Sequence, residues 1–155
     1  MTGGRNHWVW VFGEIEGLRW VLAHDRMAFP ATAAPRLKAM EEGDRVVLYV
    51  TRGAFHNSTK DVARLAGLAT VLGTPLSGSP VSIAGRDFTW TVPIRTDVQL
   101  PERTGPEVRP LVPRLSFVGN QAAWGQYFRG SPLRVSEEDF QVLESAVARE
   151  REQVG

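Results

Sequence analysis

The segment HWVWVFG, residues 7–13, constrains the fold more than any other part of the sequence. Its aromatic residues fall on one face of an extended chain and its valines on the other: Trp8, Trp10 and Phe12 against Val9 and Val11. A strand with one solvated face alternates apolar with polar residues, whereas a strand covered on both sides does not. The segment therefore predicts a central strand of a sheet that is packed on both faces.

The order of the following elements predicts an α+β fold. Apolar residues recur at helical spacing over residues 14–24, and a second short helix is expected over residues 32–40. Alternating apolar residues predict strands at DRVVLYVT (44–51), within 63–72 and from Asp87 onward, with a turn-rich loop at 75–80. Strands that follow one another without regular crossover helices indicate an α+β fold around a curved, mixed sheet.

The C-terminal part of the chain adds an irregular segment and a closing helix. Residues 97–110 are rich in proline and charge, and we expect them to form an irregular excursion. Ser136 stands three residues before Asp139, a variant of the capping box that begins a helix. Residues 148–155 are polar and are predicted to fray. No repeat and no long linker divides the chain, so residues 1–155 are expected to form a single domain.

Composition favours a soluble, cytoplasmic protein and narrows its chemistry. The 155 residues are 43% hydrophobic and 23% charged, and no apolar run approaches the roughly 20 residues needed to span a bilayer. The absence of cysteine excludes disulfides, thiol catalysis and thiolate metal sites. A net charge of +1 argues against binding nucleic acid mainly by phosphate neutralisation, although residues 86–134 hold seven Arg against four acidic residues. A monomer is the default expectation, with no membrane partner.

The segment YVTRGAFHNSTKD, residues 49–61, is a dense polar cluster with competing interpretations. His56, Ser58 and Asp61 suggest nucleophilic catalysis, but catalytic triads draw their members from separate elements, and no GxSxG elbow surrounds the serine. No spacing of His and carboxylates typical of a metal site is present. The segment otherwise forms a turn in which Asn57 and Ser58 cap backbone donors, or the wall of a cup that holds a flat polar ligand without reacting with it.

Aromatic residues outside the predicted strands and helices favour a planar ligand. Trp124 lies in WGQYFRG, among glycines and polar residues, and Phe29 lies in MAFP, in a connection between elements. Rings at one end of a sheet can stack on a heterocycle, which contributes roughly 1–3 kcal/mol per base in measured cases. Thr51, Asn57 and the backbone of Ala28 are then placed to read the edge of the ligand.

Five short motifs, in order over nearly the whole chain, carry a resemblance to a known family. They are a first strand with Trp (HWVWV), a strand led by Gly43-Asp44 that ends in Tyr49 and Thr51, and the segments PLVPRLSF, WGQYFR and SEEDF. Together they resemble the EVE domain of the PUA-like superfamily. That superfamily also includes YTH readers of methylated adenine in RNA and readers of modified cytosine in DNA.

The resemblance implies a fold, a PUA-like curved mixed sheet or pseudo-barrel flanked by short helices, and it also implies a binding site. In that superfamily a base is flipped into a pocket between the exit loop of the first strand and the end of the next strand, without metal or chemistry. Carried onto this sequence, the first place comprises Phe12, Met27, Ala28 and Phe29, and the second comprises Tyr49, Thr51, Arg52, Gly53 and Phe55. With Asn57 and Trp124, these residues form the predicted base-binding set.

The sequence thus predicts a non-enzymatic module that binds DNA or RNA and recognises a nucleobase, in the favoured case a modified one. No catalytic residue, metal or cofactor belongs to this prediction. A methyl-sized group in an apolar corner near Met27 or Phe29 would add roughly 1–3 kcal/mol of discrimination. Two alternatives stay open: a small hydrolase or nucleic-acid-processing enzyme using His56 and Asp61, and a sensor of a nucleoside-like metabolite.

Overall fold

A computed structural model describes residues 5–129 and 131–154 of the chain. Its first half contains β1 (His7–Phe12), α1 (Ile15–His24), β2 (Arg26–Phe29), a 3₁₀ turn (Ala31–Ala33), α2 (Ala34–Leu37), β3 (Arg45–Val50) and β4 (Arg64–Val71). Its second half contains β5 (Leu76–Ile83), β6 (Arg86–Gln99), two 3₁₀ segments (Arg109–Arg114 and Gln121–Phe128), β7 (Leu133–Val135) and α3 (Glu137–Val154). The predicted α+β class is confirmed. Among the described residues no helix is long and apolar enough to cross a membrane.

All seven strands belong to one curved, mixed sheet. Its hydrogen-bonded order is β2-β6-β4-β3-β1-β7, and β5 pairs with β6 outside this path. Strands β1 and β3 run parallel, with Trp8 opposite Val46 and Phe12 opposite Val50. The remaining strand pairs are antiparallel. Strand β1 has a neighbour on each side, which confirms the central position predicted for it.

Alternation along β1 and β3 divides the interior into two apolar cores, one on each face of the sheet. Trp8, Trp10 and Phe12 face the first core, where α1, β2 and α2 pack. Val9 and Tyr49 face the second core, which α3 and the two 3₁₀ segments cover. A strand apolar on both faces is the form that such double coverage requires.

Asp44, the carboxylate of the Gly-Asp motif, holds the start of β1 to the turn before β3. It is only 2% exposed. Its oxygens accept hydrogen bonds from the backbone N–H of Asn6 at 3.0 Å, the indole N–H of Trp8 at 2.9 Å and the backbone N–H of Glu41 at 2.9 Å. A buried charge is tolerated because it is fully hydrogen-bonded. This motif residue therefore supports the fold rather than a binding site.

Asp139 makes a second buried link, between α3 and the segment before it. Its carboxylate accepts hydrogen bonds from the backbone N–H of Ser116 at 2.8 Å and from the Ser116 hydroxyl at 2.6 Å. The backbone N–H of Asp139 donates to the Ser136 hydroxyl at 3.1 Å, as the capping box predicts. The Leu-Ser-Phe and Ser-x-x-Asp-Phe motifs are thus two halves of one structural contact.

Three segments differ from the sequence-based expectation. The predicted loop at 75–80 lies mostly within β5, an exposed strand that pairs with β6, and its polar, Gly- and Pro-containing sequence carries no alternating pattern. The MAFP connection contains β2, and the helix expected over 32–40 is a 3₁₀ turn followed by one short helix. Residues 148–154 continue α3, residue 155 lies outside the described residues, and the fraying of this tail stays a prediction.

Candidate functional site

The parallel pair β1 and β3 brings two exit loops to the same edge of the sheet. Phe12 and Val50 are the last residues of these strands and lie opposite each other. Just beyond them, the backbone N–H of Thr51 donates to the carbonyl of Phe12 at 3.1 Å. Three cavities adjoin this edge, and two of these lie on opposite faces of the sheet. We call these two the exit-loop cavity and the arginine cavity.

The exit-loop cavity has a volume of about 200 Å³. Its main lining residues are Phe12, Gly13, Glu14, Met27, Ala28, Phe29, Arg86, Phe88 and Ser131. The end of β1 and strand β2 supply apolar residues that are each at most 6% exposed: Phe12, Met27, Ala28 and Phe29. The volume lies below the roughly 300–1,000 Å³ of sites for drug-sized ligands, so it suits one ring system.

Polar groups line the exit-loop cavity at the start of α1. Glu14 occupies the N-cap position, but its carboxylate caps no backbone N–H and forms no ion pair with any residue that the structure describes. Gly13 is exposed, and a Cβ at this position would meet no atom within 4 Å. An acceptor and an open stretch of backbone therefore adjoin an apolar interior, the combination that fixes a ligand's orientation.

A guanidinium and an aromatic ring form another part of this cavity. Arg86 lies over the ring of Phe88, with 5.7 Å between the guanidinium carbon and the ring centroid. Phe88 is half-buried and Arg86 is exposed. Both groups are planar surfaces on which a base can stack.

The arginine cavity is larger, at about 770 Å³. Its main lining residues are Tyr49, Thr51, Arg52, Gly53, Glu107, Arg109, Trp124, Gly125, Phe128 and Arg129. Tyr49 is 3% exposed and stacks on Phe128, with 4.6 Å between centroids and 10° between planes. Burial raises the pKa of the Tyr49 phenol well above its ordinary value. The Tyr49 ring is thus part of the second core and is not free to stack on a ligand.

Trp124 and three arginines form the accessible part of this cavity. Trp124 is half-buried and meets Phe128 edge to face, at 6.0 Å and 81°. Arg52, Arg109 and Arg129 are exposed, and none of them pairs with an acidic side chain within residues 5–129 and 131–154. Glu107 is the acidic residue among the lining side chains. The local charge is therefore positive.

His56 and Asp61 have separate partners. The His56 ring nitrogen Nε2 lies 3.1 Å from the Glu16 carboxylate, and Arg103 donates to Asp61 at 3.0 Å. Hydrogen bonding from its own backbone N–H at the start of α1 lowers the pKa of Glu16, and the bond from His56 lowers it further. Among the described residues, no group of three or more His, Asp or Glu side chains could hold a metal ion. The structure thus pairs the two residues of the hydrolase alternative with other side chains.

No family model matches the sequence. Curated relatives do, and two are informative. A UPF0310 protein of Mycolicibacterium gilvum is 31% identical over 114 residues, covering 72% of this chain and 74% of the relative. The chain belongs to the UPF0310 family. The UPF0310 protein PYRAB08750 of Pyrococcus abyssi is 29% identical over 111 residues, covering 70% of this chain and 77% of the relative.

Solved structures similar to the UPF0310 chain include YTH domains. The Mmi1 YTH domain matches with a TM-score of 0.65 at 8% identity, covering 99% of this chain and 81% of that one. The YTH domain of Zygosaccharomyces rouxii MRB1, solved in complex with N6-methyladenosine RNA, matches with a TM-score of 0.62 at 12% identity, covering 95% and 87%. At these identities the match establishes the fold, which is the predicted PUA-like one.

The structure distributes the predicted base-binding residues of the UPF0310 chain over more than one place. Four line the exit-loop cavity: Phe12, Met27, Ala28 and Phe29. Five line the arginine cavity: Tyr49, Thr51, Arg52, Gly53 and Trp124. The reason is strand register, because Phe12 pairs with Val50 whereas Tyr49 pairs with Val11, and paired residues lie on the same face. Phe12 and Tyr49 therefore belong to opposite faces of the sheet.

The other two predicted residues lie in neither cavity. Phe55 lines a third cavity, of about 340 Å³, beneath Arg103, whose guanidinium carbon is 4.1 Å from its ring centroid. Asn57 lies in an exposed turn, where its carbonyl accepts from the N–H of Asp61 at 2.9 Å and its side chain accepts from the Thr59 hydroxyl at 3.2 Å. The segment therefore forms a hydrogen-bonded turn, but backbone bonds close it, and the predicted capping of backbone donors by the Asn57 and Ser58 side chains is not seen among the described residues.

Several lining residues escaped the sequence-based prediction. Glu14 reads as an ordinary acidic residue at a helix start, and Arg86 and Phe88 follow a segment predicted as a loop. Arg109 and Arg129 belong to the seven arginines of residues 86–134, so the local excess of positive charge was a usable signal. The sequence could not show which members of that excess are paired: Arg95 and Arg103 bind Asp97 and Asp61.

Proposed function

We propose that this UPF0310 chain is an EVE-type domain that binds nucleic acid and reads one nucleobase, carrying a methyl-sized modification, in the exit-loop cavity. One observation carries the proposal. At the edge where two parallel strands end, a ring-sized apolar cavity adjoins an unpaired carboxylate, Glu14, and an open stretch of backbone, Gly13. A planar heterocycle with donor groups on its edge matches those features.

The solved neighbours give independent support. The Zygosaccharomyces rouxii YTH domain is described in complex with N6-methyladenosine RNA, and the Pho92 YTH domain, with a TM-score of 0.59, in complex with m6A. Those descriptions concern proteins at 12% and 10% identity, and they supply the class of ligand to test on this chain.

In this proposal each lining group has a distinct role. The base leaves its stack and enters beside Met27 and Phe29, whose apolar surface accepts a methyl group. Glu14 accepts a hydrogen bond from an N–H on the edge of the base, and the Arg86–Phe88 pair provides a stacking surface. Extruding a base costs a few kcal/mol, which one stacking contact and two or three satisfied hydrogen bonds offset.

The proposed role is recognition and not catalysis. A methyl group filling an apolar corner is worth roughly 1–3 kcal/mol, or about 10- to 200-fold in affinity. With a net charge of +1, the chain gains little from the phosphate backbone as a whole, so affinity depends on the favoured base. The expected behaviour is weak binding to ordinary strands and clear preference for a modified one.

The test is equilibrium binding to matched single-stranded oligonucleotides, as DNA and as RNA, that differ at one central base. The panel contains N6-methyladenine and 5-methylcytosine beside their unmodified parents, together with the free nucleosides. We expect one modified base to bind at least about tenfold more tightly than its parent. Equal affinities across the panel would remove the reader function, and binding of a free nucleoside without binding of any oligonucleotide would indicate a metabolite sensor.

A further inference from the structure

We infer that the arginine cavity binds the phosphodiester backbone next to the base held in the exit-loop cavity, so that the ligand is a single-stranded stretch of several nucleotides. This inference rests on the proposed function, since it assigns the neighbours of the base that is read. It differs from the sequence-based prediction, in which Trp124 and Arg52 contact the same base as Phe12 and Phe29.

The two cavities are adjacent, so one strand can reach both. The hydrogen bond from the N–H of Thr51 to the carbonyl of Phe12 joins a residue of the arginine cavity to a residue of the exit-loop cavity. On the other side, Arg129 lines the arginine cavity and Ser131, two positions later, lines the exit-loop cavity. The hydroxyl of Ser131 accepts from the N–H of Val11 at 3.0 Å, which fixes that side to β1.

The size and shape of the arginine cavity suit a nucleotide with its phosphate better than a buried base. Its volume of about 770 Å³ lies within the range of sites for drug-sized molecules and is well above that of the exit-loop cavity. The rings of Trp124 and Phe128 are nearly perpendicular, so the two are not stacked face to face, and Trp124 is half-buried. A half-buried indole of this kind can accept a base from an unpaired strand.

The charges of this cavity identify the phosphodiester. Arg52, Arg109 and Arg129 are exposed and carry no carboxylate partner in the part of the chain that the structure describes. By contrast, Arg95 and Arg103 from the same arginine-rich region are held by Asp97 and Asp61. Guanidinium groups bind phosphate oxygens bidentately. Three guanidinium groups without carboxylate partners at one cavity therefore form a site for the phosphodiester backbone.

The positive surface continues beyond the arginine cavity. Arg129 also lines a neighbouring cleft of about 390 Å³, together with Arg36 and Arg134 and without an acidic residue among its described lining side chains. A strand that passes from Glu14 to Arg129 therefore meets further guanidinium groups in one direction. This gives the bound strand a path across the edge of the sheet.

The experiment measures oligonucleotide affinity across a salt series for a double variant, Arg109→Ala with Arg129→Ala. Its matched control is Arg149→Ala with Arg151→Ala, two exposed arginines of α3 that remove the same charge elsewhere. We expect the first pair alone to lower the slope of log affinity against log salt by about 1.4, because each phosphate contact to a single strand contributes about 0.7. Affinity at low salt should fall on the order of tenfold.

A third variant tests the stacking part of the inference. Trp124→Ala should lower oligonucleotide affinity by about tenfold and leave binding of the free nucleoside unchanged, whereas Trp124→Phe should keep most of the affinity. Thermal unfolding of both variants controls for the loss of the contact with Phe128. An equal loss for nucleoside and oligonucleotide would overturn the assignment of Trp124 to a neighbouring nucleotide.

The two proposals fail in different ways. The ratio of affinities for modified and unmodified strands reports on the exit-loop cavity, and the salt slope reports on the arginine cavity. If the Arg109/Arg129 variant keeps the slope of the α3 control, the backbone site is overturned even where the ratio is preserved. If the ratio is one in the wild type while the slope still falls in that variant, base reading is overturned and the backbone site stands.

Discussion

The two cavities at the end of β1 and β3 differ in almost every physical property although one hydrogen bond joins their walls. The exit-loop cavity is small, with buried apolar side chains, the unpaired carboxylate of Glu14 and the exposed guanidinium of Arg86. The arginine cavity is nearly four times larger, open and positively charged. Small apolar sites select a ligand by shape, whereas exposed cationic sites attract any polyanion.

The contrast explains how a chain with a net charge of only +1 could bind nucleic acid selectively. A strongly basic surface would hold every strand, and the contribution of one modified base would be small in comparison. Here three unpaired arginines supply a modest attraction, and the exit-loop cavity of about 200 Å³ distinguishes a modified base from an unmodified one. Selection and attachment are therefore predicted to be separable by mutation.

The largest expected effect is a loss of stability that leaves the binding properties of the two cavities unchanged. Asp44→Ala removes three hydrogen bonds and leaves the indole N–H of Trp8 and two backbone N–H groups without their partner. Each buried donor left unsatisfied costs about 1–3 kcal/mol, so we expect the free energy of unfolding to fall by about 3 kcal/mol in urea titrations. Below the melting temperature, the ratio of modified to unmodified affinity should stay as in the wild type.

The next effect separates the cavities by filling them one at a time. Three glycines have open space around an added Cβ: Gly13, Gly125 and Gly78. Gly13 lines the exit-loop cavity, Gly125 lines the arginine cavity, and Gly78 lines neither of them. Gly13→Trp should abolish the preference for a modified base, a loss of about 10- to 200-fold. Gly125→Trp should weaken all strands alike, and Gly78→Trp should change nothing. If Gly125→Trp abolished the preference for a modified base, the base would be bound in the arginine cavity and not in the exit-loop cavity.

The smallest effect concerns Tyr49, the buried floor of the arginine cavity. Burial raises its pKa in the folded state, so its contribution to stability is complete below the ordinary phenol pKa and is lost as the pH rises toward the folded value. We expect urea titrations between pH 9 and pH 11 to show a loss of about 1 kcal/mol that Tyr49→Phe does not show. Identical pH dependence in both proteins would indicate a solvent-exposed phenol, which could then stack on a ligand.

Much of the frame could be predicted because it depends on local patterns. The double alternation of HWVWVFG identifies a central strand, and Ser136 with Asp139 identifies the start of α3. Strand β5 could not be found in this way. Its residues are mostly exposed, and it is held by backbone pairing with β6, which depends little on the side chains.

The site was harder to predict because it depends on which face each strand presents. The sequence places aromatic residues near the ends of two strands, but only the pairing of Val11 with Tyr49 shows that Tyr49 and Phe12 point to opposite faces. Motif residues were also ambiguous. Asp44 and Asp139 carry the family resemblance and hold buried hydrogen-bond networks, whereas Glu14 and Arg86 line the exit-loop cavity without belonging to any motif quoted for it.

The most direct test of the central claim is NMR of the labelled protein with a methylated nucleoside and then with an oligonucleotide containing it. We predict that the nucleoside shifts the amide of Gly13 and the methyl groups of Met27 and Ala28, and leaves the indole N–H of Trp124 unmoved. The oligonucleotide should shift all four. Nucleoside-induced shifts at Trp124 with none at Gly13 or Met27 would contradict the account, because the base would then occupy the arginine cavity.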